Sequence, residues 1–333
     1  MRRLGLLVST GALAASLLVV PTVRSEATIV AARDHLQVTG YATDGTAPST
    51  IAAQAPALTT VGIDGVGVTI AGNDVAAPSA GALALLATAH AHGLRAVLLV
   101  GNGAVSGEAT RLLTSRANRA RVAAKLVRLV QVQGWDGITV DLEALAPRDA
   151  AGLVAFVARL HQLLPHRCQL AVDVSATPSL AEYPVNGYHL RSLSRVADVV
   201  LMAYDESGTW SGPGPIGGLP WQRASIAAVR RLVPARRLLL GVAAYGYTWP
   251  PGRRVHDGIA VTDRQARSLA AHSHKRPRWI PSQGEWTVRL RNGTVLWWSD
   301  VRSYRLRRVI VLHDHLAGLA VWQLSSSDLL PRR

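Results

Sequence analysis

Asp141 and Glu143 close an apolar run, Gly134-Trp135-Asp136-Gly137-Ile138-Thr139-Val140-Asp141-Leu142-Glu143. Alternate residues of a strand share a face. Thr139, Asp141 and Glu143 therefore point one way, and Ile138, Val140 and Leu142 the other. Burying charge is costly, so two carboxylates at a strand end are poor packing residues and good candidates for proton transfer. The bland alternative is a loop-side ion pair with Arg148. A second apolar run, ending Met202-Ala203-Tyr204-Asp205-Glu206, also terminates in a phenol and a carboxylate. A third, Gly318-Leu319-Ala320-Val321-Trp322-Gln323-Leu324, carries a large ring that either fills a core or floors a pocket.

Elements that could hold these groups together alternate along the chain. Strand candidates are 36–41, 61–70, 95–100, 137–142, 169–175, 198–204, 237–244 and 318–324. Most are rich in Val, Ile and Leu without alternation, as buried parallel strands are. Helical patterns lie between them, at 79–93, 108–133, 148–164, 220–233 and 300–315, with Ser, Gly and Pro where caps and stops belong. Eight strands with intervening helices predict an α/β fold, a (β/α)8 TIM barrel, whose active site lies at the C-terminal ends of the strands. No G-x-G-x-x-G follows the first strand, which lowers a dinucleotide-binding sheet. The long interval between the seventh and eighth strands holds a helical stretch at 262–273. It also holds two strand-like runs, 286–290 and 295–298, joined by an Asn-Gly turn. The sequence thus predicts a barrel over 28–333 with a small α+β insertion near 250–300. The sequon Asn292-Gly293-Thr294 falls in that turn, and the hairpin explains it without modification.

The chain has 333 residues, 49% of them hydrophobic and 17% charged, which excludes a disordered chain. Its net charge is +15, and only Lys125 and Lys275 among its 36 basic residues are lysine. The arginines are spread thinly and no nucleic-acid-binding motif accompanies them, so no nucleic-acid partner is expected. The charge favours contact with polyanions such as cell walls or membrane surfaces. Residues 1–27 read as an export signal: Arg2 and Arg3, an uncharged apolar stretch from Leu4 to Val20, then Pro21 and the small residues around Ser25-Glu26-Ala27. The alternative is a retained anchor, the apolar run being near the lower limit for spanning. The lone Cys168 excludes an internal disulfide and precedes an apolar strand, as a buried cysteine would. The pairs His272/His274 and His313/His315 have i,i+2 spacing in or beside predicted helices, where side chains diverge, so no metal site is expected.

The three strand-end segments together resemble the family-18 glycoside hydrolases, the chitinase-like barrels. That family carries D-G-x-D-x-D-x-E on its fourth strand, M-x-Y-D on its sixth and a pocket-floor Trp on its eighth. Here they read Asp136-Gly137-Ile138-Thr139-Val140-Asp141-Leu142-Glu143, Met202-Ala203-Tyr204-Asp205 and Trp322. Gly214-Pro215, Leu219-Pro220-Trp221, the run from Leu240 to Tyr247 and Trp297-Trp298-Ser299-Asp300 resemble its spore-cortex and peptidoglycan branch. Two departures stand out. The middle Asp of the motif is Thr139, as the peptidoglycan branch also often lacks a carboxylate there, and the family's S-x-G-G on the third strand is only Val100-Gly101-Asn102.

The resemblance implies an exported glycosidase that cleaves β-1,4 bonds next to N-acetylglucosamine, in peptidoglycan or chitin-type glycans, by retaining, substrate-assisted catalysis. Glu143 would be the acid. Asp141 would orient the substrate's acetamido group and, by its negative charge, raise the pKa of Glu143. Tyr204 would hold the acetamido oxygen, Asp205 would bind the sugar or acetamido region, and Trp322 would floor the central sugar site. Tyr41 would line the same pocket, and Thr139 would supply a hydrogen bond. No cofactor or metal is implied, and a monomer is expected. The rival reading is a lectin-like barrel that kept the groove and lost catalysis. Such relatives usually lack the Glu at the position of Glu143, so its presence favours an enzyme.

Overall fold

The computed structural model describes residues 36–103, 107–252 and 258–333. The expected export signal at 1–27 lies outside them. Eight parallel strands close into a barrel. They are β1 (Gln37–Thr43), β2 (Thr60–Gly67), β3 (Arg95–Gly101), β4 (Gly137–Asp141), β5 (Gln169–Ser175), β6 (Asp198–Met202), β7 (Leu238–Ala243) and, after a five-strand excursion, β13 (Gly318–Trp322). Their order around the barrel is β1-β13-β7-β6-β5-β4-β3-β2. The predicted fold class is the observed one, with strand limits shifted by at most three residues.

The two faces of each strand have separate jobs. Outward residues such as Ile138, Val140 and Leu142 join the main core under the helices. Inward residues Tyr41, Leu99, Val200, Leu239 and Ala320 fill the barrel itself. Gly137 at the base of β4 allows a close approach: a Cβ there would lie 2.2 Å from the carbonyl oxygen of Gln169. The neighbouring Asp136 faces the opposite end from the strand tips. Its carboxylate accepts the Ala96 N–H at 2.8 Å and meets His90 Nε2 at 2.8 Å.

The helices follow their caps. Ser79 accepts the Ala82 N–H and starts α2 (Ala80–Ala91), which follows the short α1 (Pro48–Gln54). The single helix expected at 108–133 is two, α3 (Glu108–Thr114) and α4 (Arg116–Gln133). Ser115 between them is extended and accepts the Asn118 N–H, so a serine that fits a helical pattern instead caps a new helix. Gly134, left-handed at φ 82°, ends α4. Next come α5 (Ala150–Leu163), the single turns α6 (Glu182–Val185) and α7 (Leu190–Leu193), and α8 (Leu219–Val229).

The excursion forms an antiparallel sheet ordered β10-β11-β12-β8-β9. Its strands are β8 (Gly246–Trp249), β9 (Ile259–Val261), β10 (Arg278–Ile280), β11 (Glu285–Arg289) and β12 (Val295–Trp298). Helix α9 (Asp263–His272), with a Thr262/Gln265 capping box, packs on it. Val261, Ala266, Ala270, Val288, Leu290, Leu296 and Trp298 give it a core of its own. A fully buried ion pair ties this sheet to the barrel: Arg307 of α10 (Val301–His313) lies 3.3 Å from Glu285. Arg307 also donates to Gln222 of α8 and to the Gly217 carbonyl, while Glu285 accepts the Ile216 and Gly217 N–H groups. The loop between β6 and α8 is therefore clasped from both sides. Among the described residues no helix is long and apolar enough to cross a membrane, and no cluster of side chains could hold a metal ion.

Candidate active site

Every carboxylate and phenol singled out at a strand end falls on the same rim, the C-terminal mouth of the barrel. Asp141 ends β4, and Glu143 follows two residues later on the same face. Glu143 is held by its backbone. The side chain of Asn102, just past β3, donates to the Glu143 carbonyl at 3.0 Å and accepts the Glu143 N–H at 2.9 Å. Ala144, the next residue, has φ 52°. Asp205, just beyond β6, has φ 62°. Non-glycine residues in this region cost free energy and collect at functional sites. None of the described ion pairs joins Arg148 to Asp141 or Glu143, so the ion-pair alternative is not realised.

The electrostatics differ from the sequence expectation. Glu143 is raised above the ordinary carboxylate range first by burial and then by Asp205. Asp141, expected to carry the charge that raises it, is itself pushed up to about 8 by burial, Glu143 and Asp64. A carboxyl inside a barrel mouth crowded by other acids binds a proton rather than lending a charge. Asp141 Oδ1 has no hydrogen-bond partner among the described residues. No hydrogen bond from Thr139 is made to that oxygen. Thr139 is 3% exposed and lines the barrel interior beneath the rim with Tyr41, itself 2% exposed.

The other side of the mouth is aromatic. Trp322 is half-buried, and its ring lies 5.8 Å from that of Tyr41. It touches both the barrel-interior cluster and a second cluster containing Tyr204, Tyr245, Tyr247, Trp249 and Trp297. The sequence left Trp322 open between core and pocket floor, and its contacts make it the boundary between the two. Asp205 accepts hydrogen bonds from the phenols of Tyr245 and Tyr247, the latter at 3.1 Å. Burial raises the Asp205 carboxyl while those two bonds lower it. Trp210, on the clasped loop, is 46% exposed with its ring 6.2 Å from Tyr247.

Five members of this cluster were not among the candidates read from sequence. Asp64 sits on β2, where the register with β3 shifts. Asn102 appeared only as a departure from a motif. Tyr245 and Tyr247 appeared only within the segment that resembles the spore-cortex branch. Asp173 sits in mid-run on β5, and its Oδ1 accepts the Tyr41 hydroxyl at 3.1 Å. The alternation of Asp and Ser with apolar residues in Gln169–Ser175 was the one signal that could have found Asp173.

The chain is 24% identical over 232 residues to the uncharacterized glycosylase YvbX of Bacillus subtilis, covering 66% of this chain and 66% of that protein. It is 26% identical over 251 residues to the cortical fragment-lytic enzyme of the same organism, covering 68% of this chain but 55% of that one. The chain thus spans between half and two thirds of the length of these relatives. The crystal structure of a chitinase from Chromobacterium violaceum superposes with a TM-score of 0.79 at 26% identity, covering 88% of this chain and 95% of that one. The model for glycosyl hydrolases family 18 matches residues 55–327, which contain every site residue above except Tyr41, and the chain belongs to that family.

Proposed function

We propose that the protein is an exported glycosidase that hydrolyses β-1,4 bonds beside N-acetylglucosamine, with retention, using the substrate's own acetamido group as nucleophile. The observation that carries this reading is Glu143, a carboxyl biased toward its protonated form by burial, facing a mouth of aromatic rings. In the first step Glu143 gives its proton to the leaving oxygen. The acetamido oxygen attacks the anomeric carbon as the glycosidic bond breaks, giving an oxazolinium ion. In the second step the Glu143 carboxylate takes a proton from water, which restores the acid, while the water oxygen bonds to the anomeric carbon and the bond from that carbon to the acetamido oxygen breaks, opening the oxazolinium ring. A positioned intramolecular nucleophile supplies effective molarities of roughly 10⁵–10⁸ M, so no second protein nucleophile is required. Tyr204 holds the acetamido oxygen, Asp205 the sugar, and Trp322 stacks beneath the ring. Exposed Trp210 extends the aromatic surface along the glycan.

Two observations support the substrate class. The relatives include a cortical fragment-lytic enzyme and a chitinase, whose glycans share N-acetylglucosamine, and the net charge of +15 suits an anionic wall. The apolar stretch from Leu4 to Val20 supports export. The test is mass spectrometry of products from chitin oligomers and from muropeptide-bearing glycan, side by side. Cleavage at an N-acetylglucosamine reducing end in either supports the reading. Tight binding with no cleavage of either would make the protein a lectin-like barrel.

A further inference from the structure

The antiparallel sheet of the excursion turns one face to α9 and the other to the barrel mouth. Trp286, Val288, Leu296 and Trp298 belong to the core under α9. Successive strand residues point to opposite faces, so Thr287, Arg289, Val295 and Trp297 face the mouth, where Trp297 joins the aromatic cluster of Tyr204, Tyr247 and Trp322. The registers of β8, β12, β11 and β10 set Tyr247 opposite Trp297, Trp297 opposite Thr287, and Thr287 opposite Arg278. Paired residues share a face, so these four form one row across the sheet. The row begins at the Tyr247 hydroxyl bonded to Asp205. It ends on the edge strand β10, three strand spacings or roughly 14 Å away. Trp297 and Thr287 are half-buried and Arg278 is exposed. Arg289, also exposed, stands two residues beyond Thr287 on the same face. It is diagonal to Arg278, where such neighbours lie about 7–8 Å apart. None of the described ion pairs includes either guanidinium, and Arg289 donates to the Gly293 carbonyl at 3.2 Å.

The charges at the two ends of the row are opposed. Asp64, Asp141, Glu143, Asp173 and Asp205 crowd the mouth, and no described ion pair gives any of them a cation. An anionic group entering the mouth would meet only like charge, which costs free energy. At the far end two guanidinium groups stand side by side without an acid, and a carboxylate between them relieves their repulsion through charge-assisted hydrogen bonds. We propose that Arg278 and Arg289 form a carboxylate-recognition site on the cleft wall, selecting glycans in which a sugar beyond the cleaved N-acetylglucosamine bears a carboxylate. The proposal rests on the glycosidase reading for the placement of the glycan. The neutral sugar occupies the mouth, the chain runs past Trp297 and Thr287, and its acidic substituent meets the two arginines. The carboxylate is that of a lactyl ether on the sugar or of a peptide attached to it. Chitin-type oligomers carry neither, so the site separates two substrate classes that the mouth alone treats alike.

The experiment compares four glycans of matched length. They are an N-acetylglucosamine oligomer, an alternating glycan with free lactyl carboxylates, the same glycan with those carboxylates amidated, and the glycan bearing stem peptides. Binding is measured by calorimetry on the full chain carrying Glu143→Gln, and kcat/KM is measured on the chain with Glu143 intact. The parent is expected to prefer the lactyl carboxylate over its amide by about tenfold or more, the size of a hydrogen bond to a charged group. In Arg278→Gln/Arg289→Gln that preference falls to about twofold or less, through Kd and KM rather than kcat. Added salt erodes the preference of the parent. Arg121→Gln/Arg128→Gln removes the same charge from exposed positions on α4 and keeps the preference. A preference for the stem-peptide glycan alone supports the site with the peptide as source of the carboxylate. A parent that binds all four glycans alike overturns the proposal. So does a preference that survives Arg278→Gln/Arg289→Gln, or one that falls equally in the α4 variant. The expected binding preference with no hydrolysis of any of the four would defeat the glycosidase reading and leave the arginine site standing.

Discussion

Burial gives the barrel mouth its chemistry by withdrawing acids from water. Asp141, pushed up to about 8, stays protonated in the folded chain where the unfolded chain has already ionised. The sign follows from proton counting. Between pH 4 and 8 the folded state binds more protons, so its stability falls as pH rises through that window and is insensitive to this group below it. Asp141→Asn removes the dependence. Its melting temperature relative to the parent is therefore expected to rise by several degrees between pH 4 and pH 8, read by calorimetry at four or five pH values. A constant difference would show that Asp141 ionises normally. The sequence made Asp141 and Glu143 legible because charge at a strand end has no packing explanation. It did not reveal which of them holds a proton, because that depends on Asp64, Asp173 and Asp205, which reach the site from three other strands.

Strands put groups at the rim, and the residues just beyond them fix the angles. Asn102 is the clearest case: one side-chain amide makes both hydrogen bonds to the Glu143 backbone. Asn102→Ala removes both and is expected to cost roughly 1–3 kcal/mol of stability, since buried partners are left unpaired. It should also lower kcat several-fold while KM moves little, because the acid loses its aim rather than its substrate. An unchanged kcat with lowered stability would make Asn102 structural only. The eight strands were readable from their apolar runs. The break in the helix at Ser115 was not, because serine fits a helical pattern until its hydroxyl finds a backbone N–H. Asp173 escaped notice because an acid inside a buried strand reads as an interruption until the barrel closes and its neighbour is known.

At the scale of the molecule, barrel and excursion act as one body because Arg307 and Glu285 are buried where they meet. The pair fixes the loop that carries Trp210 and follows Asp205. Arg307→Leu strands Glu285 in the interior and is expected to cost about 3–5 kcal/mol, measured by denaturant unfolding. A loss under about 1 kcal/mol would show that the Ile216 and Gly217 N–H groups suffice for Glu285. The (β/α)8 plan and the excursion could be read from the order of apolar runs, whereas this clasp joins residues too far apart in sequence for any local pattern to show. In the proposed mechanism Glu143 delivers the proton that breaks a glycosidic bond. It is tested most directly by the hydrolysis rate of unactivated N-acetylglucosamine oligomers by the parent and by Glu143→Gln, at matched folding and oligomer binding. A fall of at least about 100-fold is expected, the usual size of a general-acid contribution. Equal rates would contradict it.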